Sequence, residues 1–219
     1  MLAVPRIVFL LPSVVLGLSV AALALVHSRS VTGGPPGIDY VDVRHFVTPA
    51  MELEAAAEKN RRAPEATVPT NLGATFHIAP GNGARPQFVL FIKQGCPCSV
   101  DAQPFYNRLA RKFKGKIEFV GVIDVDSAGA KSYATQFLCA FPVIPDPSLR
   151  LIHGFKALGA IFTALVARNG HIVKMWPGYN IEMLAQMNEL LSEEAGVKET
   201  YFDPQYAPKV KTAGCAFGS

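Results

Sequence analysis

The chain has 219 residues, 50% of them of the AVILMFWYC set and only 17% charged, against a usual charged share of about 25%. That excludes a disordered, collagen-like or coiled-coil protein, and four cysteines are too few for a disulfide-built mini-scaffold. Of the formal +4, residues 1–30 contribute Arg6 and Arg29 with no acid, while the remaining 19 basic and 17 acidic residues nearly balance. A near-neutral body has no basic stripe for nucleic acid.

From Ile7 to Val26 run 20 residues without a charge. A helix of that length spans about 30 Å, the hydrocarbon thickness of a bilayer. Residues 1–30 therefore read as an N-terminal transmembrane helix, a single-pass anchor with the domain on the extracytoplasmic side. The alternative is a cleaved signal, since Ala22-Leu23-Ala24 and Val26-His27-Ser28 are passable cleavage sites. Cleavage would leave a secreted or periplasmic protein. Residues 31–70 read as a linker. Its start, from Ser30 to Gly37, is too rich in glycine and proline for a helix or central strand. Thr48-Pro49 then resembles an N-cap followed by proline at the first helical position, opening a short Ala/Glu helix that ends near Arg61-Arg62.

Residues 71–195 carry the pattern of a compact α/β domain. Ala74–Ala79 suits a strand, and Phe88–Lys93 is a continuous apolar strand of the kind buried on both faces. A helix follows, with Phe105, Leu109, Ala110 and Phe113 at helical spacing. Ile117–Ile123 is a second buried strand and Ser127–Leu138 a second helix. Thr163–Arg168 and His171–Met175 form a hairpin about Asn169-Gly170, and Ile181–Glu194 closes the domain as an amphipathic helix. Parallel βαβ units followed by an antiparallel hairpin predict a mixed β-sheet flanked by helices on both faces. Residues 196–219 read as a structureless tail. Trp176-Pro-Gly178 reads as a strand-ending turn with a packed tryptophan.

The chemistry falls where the first buried strand ends. Gln94-Gly-Cys-Pro-Cys-Ser99 joins that strand to the following helix, which puts Cys96 at or just before a helix N-terminus. The helix dipole and free N–H groups there favour the thiolate. The competing reading is a pair of buried apolar cysteines. Asp124 and Asp126, after the second buried strand, read as loop acids in preference to site residues.

In element order and in the stretch FVLFIKQGCPCSVDAQP, residues 74–194 resemble the thioredoxin-like superfamily. The resemblance is to its redoxin (AhpC/TSA) and membrane-tethered TlpA/ResA-like branches. It implies a thiol–disulfide oxidoreductase acting on protein thiols or disulfides without a cofactor, with Cys96 as nucleophile. Pro104 stands eight residues after Cys96, as the helix-kinking proline of those oxidoreductases does, but their second cysteine would fall at Ser99. Cys98 is one residue early, and a Cys96–Cys98 disulfide would close a small, strained and easily reduced ring. Where the family keeps a cis-proline facing the active cysteine, this chain has Ile161 or Phe162. The P-x-x-x-T-x-x-C loop of the peroxidase members is absent, since Lys93 and Val89, or Gly95 and Phe91, hold its Thr and Pro places.

Two cysteines remain. Cys139 follows the second helix and suits a core position. Cys215, in the tail, is a candidate resolving thiol for Cys96 or a disulfide partner of Cys139. A non-catalytic alternative is a redoxin-like module that binds a partner protein or Cu(I), with Cys96 and Cys98 as copper ligands. Copper chaperones of this superfamily add a histidine before the penultimate strand. Here Gly159–Phe162 contains none, leaving only His153 and His171 nearby in sequence.

Overall fold

The computed structural model describes residues 45–82 and 84–218. The segment 7–26 lies outside them, and among the described residues no helix is long and apolar enough to cross a membrane. In chain order the elements are β1 (His45–Phe46), α1 (Pro49–Ala57), β2 (Ala66–Pro69), β3 (Thr75–Ile78), β4 (Gln87–Ile92), α2 (Pro97–Lys112) and β5 (Glu118–Ile123). There follow α3 (Ser127–Gln136), β6 (Val143–Pro145), α4 (Arg150–Gly154), β7 (Thr163–Val166), β8 (Ile172–Trp176), α5 (Ile181–Ala195) and β9 (Thr212–Ala213).

Five strands form one mixed sheet in the order β6-β5-β4-β7-β8, parallel from β6 to β4 and antiparallel from β4 to β8. This is the expected combination of βαβ crossovers and a closing hairpin. β4 lies at the centre, buried at every position, and its alternating side chains serve two different cores. Phe88, Leu90 and Ile92 pack with α2, α3 and α5 on one face. Val89 and Phe91 face the other, where α1, α4 and the β2–β3 pair cover them. An irregularity between β7 and β8 keeps Ile172 and Met175 both on that second face. Trp176 lies in the first core, 1% exposed, with its indole N–H donated to Gln186 Oε1 at 3.0 Å.

Thr48 caps α1 as its sequence suggests, accepting the Met51 N–H at 3.3 Å with Pro49 following. β6 and α4 are not legible as periodic segments because they are three and five residues long. Asp146 holds α4 instead. Its carboxylate accepts the N–H groups of Arg150, Leu151 and Ile152 at 2.9–3.0 Å.

The C-terminal segment corrects the reading of a structureless tail. β9 pairs with β1, and Thr212 exchanges both backbone hydrogen bonds with Tyr179 at 2.9 and 3.0 Å. Beyond β9, Ala216 pairs with Gly159. The proline-broken local pattern is silent about this, because every partner is distant in sequence. A side chain at Gly178 would put its Cβ 2.1 Å from the Thr212 carbonyl oxygen, so glycine there is what admits the strand.

Candidate active site

β4 delivers the chain to its carboxyl edge at Ile92, and three residues turn it into α2. Gly95 takes φ +74° in that turn, a left-handed conformation that glycine adopts without penalty. The Gln94 N–H is donated to Asp124 Oδ1 at 2.7 Å, tying the loop to the end of β5. Asp124 therefore acts as a loop clamp. Asp126 caps α3 by accepting the Gly129 N–H at 2.8 Å. Both acids serve backbone structure, as their sequence context suggests.

Cys96 is the N-cap residue of α2, in extended backbone, with Pro97 at the start of the helix. Its side chain is 2% exposed and that of Cys98 is fully buried. All four cysteines are free thiols. The Cys98 thiol donates to the Cys96 sulfur, and this bond is the main cause that lowers Cys96 from 9.0 to about 4. Burial opposes it, while the backbone and thiol of Cys215 and the backbone of Ser99 add to it. The same Cys96–Cys98 bond, with burial, pushes Cys98 upward. Burial first, then the Cys96 sulfur, raises Cys215 to about 11. Of the three sulfurs, Cys96, at the helix N-terminus, is the one favoured as thiolate. Lys93 Nζ donates to the Ala216 carbonyl at 2.6 Å, beside Cys215, and its charge acts against the rise of that thiol.

Every described peptide bond is trans. Ile161, buried at 1% exposure, instead takes φ +60° and donates its N–H to the Phe91 carbonyl at 2.7 Å. A β-branched residue in that region stores strain on the order of 1–3 kcal/mol. The preceding backbone, Leu158–Ala160, holds the C-terminal segment. Ala160 donates to the Cys215 carbonyl at 2.9 Å and Phe217 donates to the Leu158 carbonyl at 3.4 Å. Cys215 in turn donates its N–H to Cys96 Sγ at 3.3 Å.

The fold therefore brings Cys96, Cys98 and Cys215 together. Cys139 lies beyond the end of α3, beside Ala140, Phe141 and Pro142 in the lining of a small cavity. Burial raises its thiol to about 12. His171 precedes β8, whose Ile172 end lies level with the Gln87 end of β4, away from Cys96. His153 is on α4, whose buried residues Leu151 and Ile152 belong to the opposite core. Among the described residues, no group of three or more His, Cys, Asp or Glu side chains has the arrangement of a metal site. The close packing at Gly159, Gly178 and Gly214 is not legible in the sequence, since a glycine's need for space shows only once the approaching segment is known.

No family model and no curated protein matches the chain. Solved structures do. A Bacteroides thetaiotaomicron protein provisionally named a protein disulfide isomerase matches with a TM-score of 0.58 at 19% identity, over 63% of this chain and 90% of its own. A Chlorobium tepidum protein provisionally named thiol:disulfide interchange protein DsbE matches at 0.56 and 20%, over 63% and 98%. Peroxiredoxin Q of Xanthomonas campestris matches at 0.51 and 17%, over 59% and 91%. The chain has a thioredoxin-like fold. Within it, Cys96 stands at the junction of the central strand β4 with α2. At these identities the likeness establishes the fold, and the chemistry rests on the thiol cluster itself.

Proposed function

We propose that this protein is a membrane-tethered, extracytoplasmic thiol–disulfide oxidoreductase, with Cys96 as attacking thiolate and protein thiols or disulfides as substrates. The observation that carries the reading is the convergence on Cys96, the N-cap of α2, of Cys98 two residues on and of Cys215, whose N–H is donated to Cys96 Sγ at 3.3 Å. A thiolate is the attacking species in disulfide exchange. Cys96 attacks one sulfur of a substrate disulfide, forms a mixed disulfide, and expels the other substrate sulfur as a thiolate. Cys98, held as a thiol, positions and stabilises the nucleophile. The apolar segment 7–26 supports the tether.

A second reading is a non-catalytic module that binds a partner protein or Cu(I) through Cys96 and Cys98. It draws on the burial of both sulfurs and on the affinity of Cu(I) for paired thiolates. Thiol trapping separates the two. Oxidoreductase action by the reduced protein requires a Cys96 mixed disulfide with a disulfide-bearing substrate, lost in Cys96→Ser. One equivalent of bound Cu(I), lost in Cys96→Ser and without any mixed disulfide, would support the second reading. For the tether, a mature N-terminus near residue 25 or 29 in membrane-extracted protein would rule out a retained anchor.

A further inference from the structure

We propose that Cys215 is the resolving thiol of this site, delivered by a C-terminal segment that docks on the Leu158–Ala160 edge and covers Cys96. The inference rests on the exchange reading and extends it to the second half of the reaction.

The segment is fixed on both sides of Cys215. Upstream, Thr212 is paired with Tyr179 and with Phe46. Downstream, the Ala216 carbonyl accepts from Lys93 Nζ, and Phe217 donates to Leu158. Between them, Gly214 passes so close to Ala160 that a Cβ would lie 2.7 Å from that residue's Cβ and carbonyl oxygen. These contacts leave little freedom in register, and they place Cys215 against Cys96, its N–H donated to Cys96 Sγ at 3.3 Å. Cys98 is less well placed to close a disulfide with Cys96. It sits two residues from Cys96 in the first turn of α2, where a disulfide would have to distort the helix.

The chemistry balances. A substrate disulfide accepts two electrons, and the two cysteines of this chain supply them. Cys96 forms the mixed disulfide and releases the first substrate sulfur as a thiolate. The segment is displaced while substrate occupies the edge. On its return, Cys215 loses its proton to solvent and attacks Cys96 Sγ. The mixed disulfide breaks, the second substrate sulfur leaves as a thiolate, and a Cys96–Cys215 disulfide forms. The tether holds Cys215 at an effective concentration in the millimolar range or above, so it competes well with free thiols.

The test uses the full-length reduced protein and oxidised glutathione as the disulfide probe, with acid quenching, alkylation and peptide mass spectrometry. The wild type is expected to accumulate a Cys96–Cys215 disulfide with no lasting glutathione adduct. In Cys215→Ser the adduct on Cys96 should persist, resolving at least about tenfold more slowly. Gly214→Val keeps every cysteine but unseats the segment, and should slow resolution in the same direction. A wild-type Cys96–Cys98 disulfide, or wild-type resolution rates in both variants, would overturn the resolving role while leaving exchange at Cys96 standing. Absence of any adduct or disulfide at Cys96 in wild type and Cys215→Ser alike would sink both readings.

Discussion

The backbone N–H of Cys215 is donated to Cys96 Sγ at 3.3 Å, joining positions 119 residues apart. Cys96 of this thioredoxin-like domain is thereby covered by the domain's own C-terminal segment. Its ionisation depends on donors from two unrelated parts of the chain, the first turn of α2 and the strand-like stretch after β9.

Cys98 is the larger of those influences. Replacing it with alanine removes the donor and should raise the titration midpoint of Cys96 by at least about one unit, since one unit corresponds to about 1.4 kcal/mol. Cys98→Ser, whose hydroxyl also donates, should retain most of the lowering. Thiolate ultraviolet absorbance followed against pH decides it. Equal midpoints in wild type and Cys98→Ala would show that Cys98 has no such role.

Stability of the reduced protein should depend on pH through Cys96 with a defined sign. The native sulfur stays ionised down to about 4, whereas the unfolded thiol titrates near 9.0. Between these values the unfolded chain binds the extra proton. The contribution is complete above 9.0 and is lost as pH falls towards 4, with a ceiling of about 1.4 kcal/mol per pH unit. Cys215 acts oppositely, because its native value is raised to about 11. Its contribution is complete below 9.0 and is lost as pH climbs through 11. Urea unfolding from roughly pH 5 to 8 should show the wild type gaining on Cys96→Ser as pH rises. A constant difference would contradict the assignment.

Proline at Ile161, one of the two positions where the resemblance to the oxidoreductases puts it, should fail. Proline is confined to φ near about −65° and has no N–H, yet this position takes φ +60° and donates to the Phe91 carbonyl. Ile161→Pro should destabilise the fold by more than about 1 kcal/mol. Thermal unfolding is the readout, and an unchanged or higher Tm would show that the backbone here tolerates the substitution.

Asp146 should matter more to stability than its loop position suggests. It is 5% exposed and accepts three N–H groups at the start of α4. Asp146→Ala leaves those donors without their acceptor and should cost about 2–3 kcal/mol. Asp146→Asn, keeping one acceptor oxygen, should cost less. The urea midpoint measures both, and a midpoint unmoved in Asp146→Ala would remove the capping argument.

Local pattern was sufficient wherever an element was long enough to repeat. The run from Phe88 to Ile92 is apolar at every position because both faces of β4 are covered, and it announced itself as a buried central strand. The Asn169-Gly170 turn marked the hairpin, and Thr48-Pro49 marked the start of α1. β6 and α4 stayed hidden because three or five residues complete no period, and their stability comes from sheet pairing and from Asp146.

The site divides along the same line. The sequence by itself determined that Cys96 stands at a strand–helix junction and that Cys98 is two residues away, because both follow from chain connectivity over six residues. It made Cys215 the distal candidate, either as a resolving thiol for Cys96 or as a partner of Cys139, without placing it against either. Only the tertiary structure decided that Cys215 returns to Cys96, since that return depends on backbone pairing with Tyr179 and Ala160 and on the space left at Gly178 and Gly214. Those are relations between remote segments, and no local periodicity encodes them.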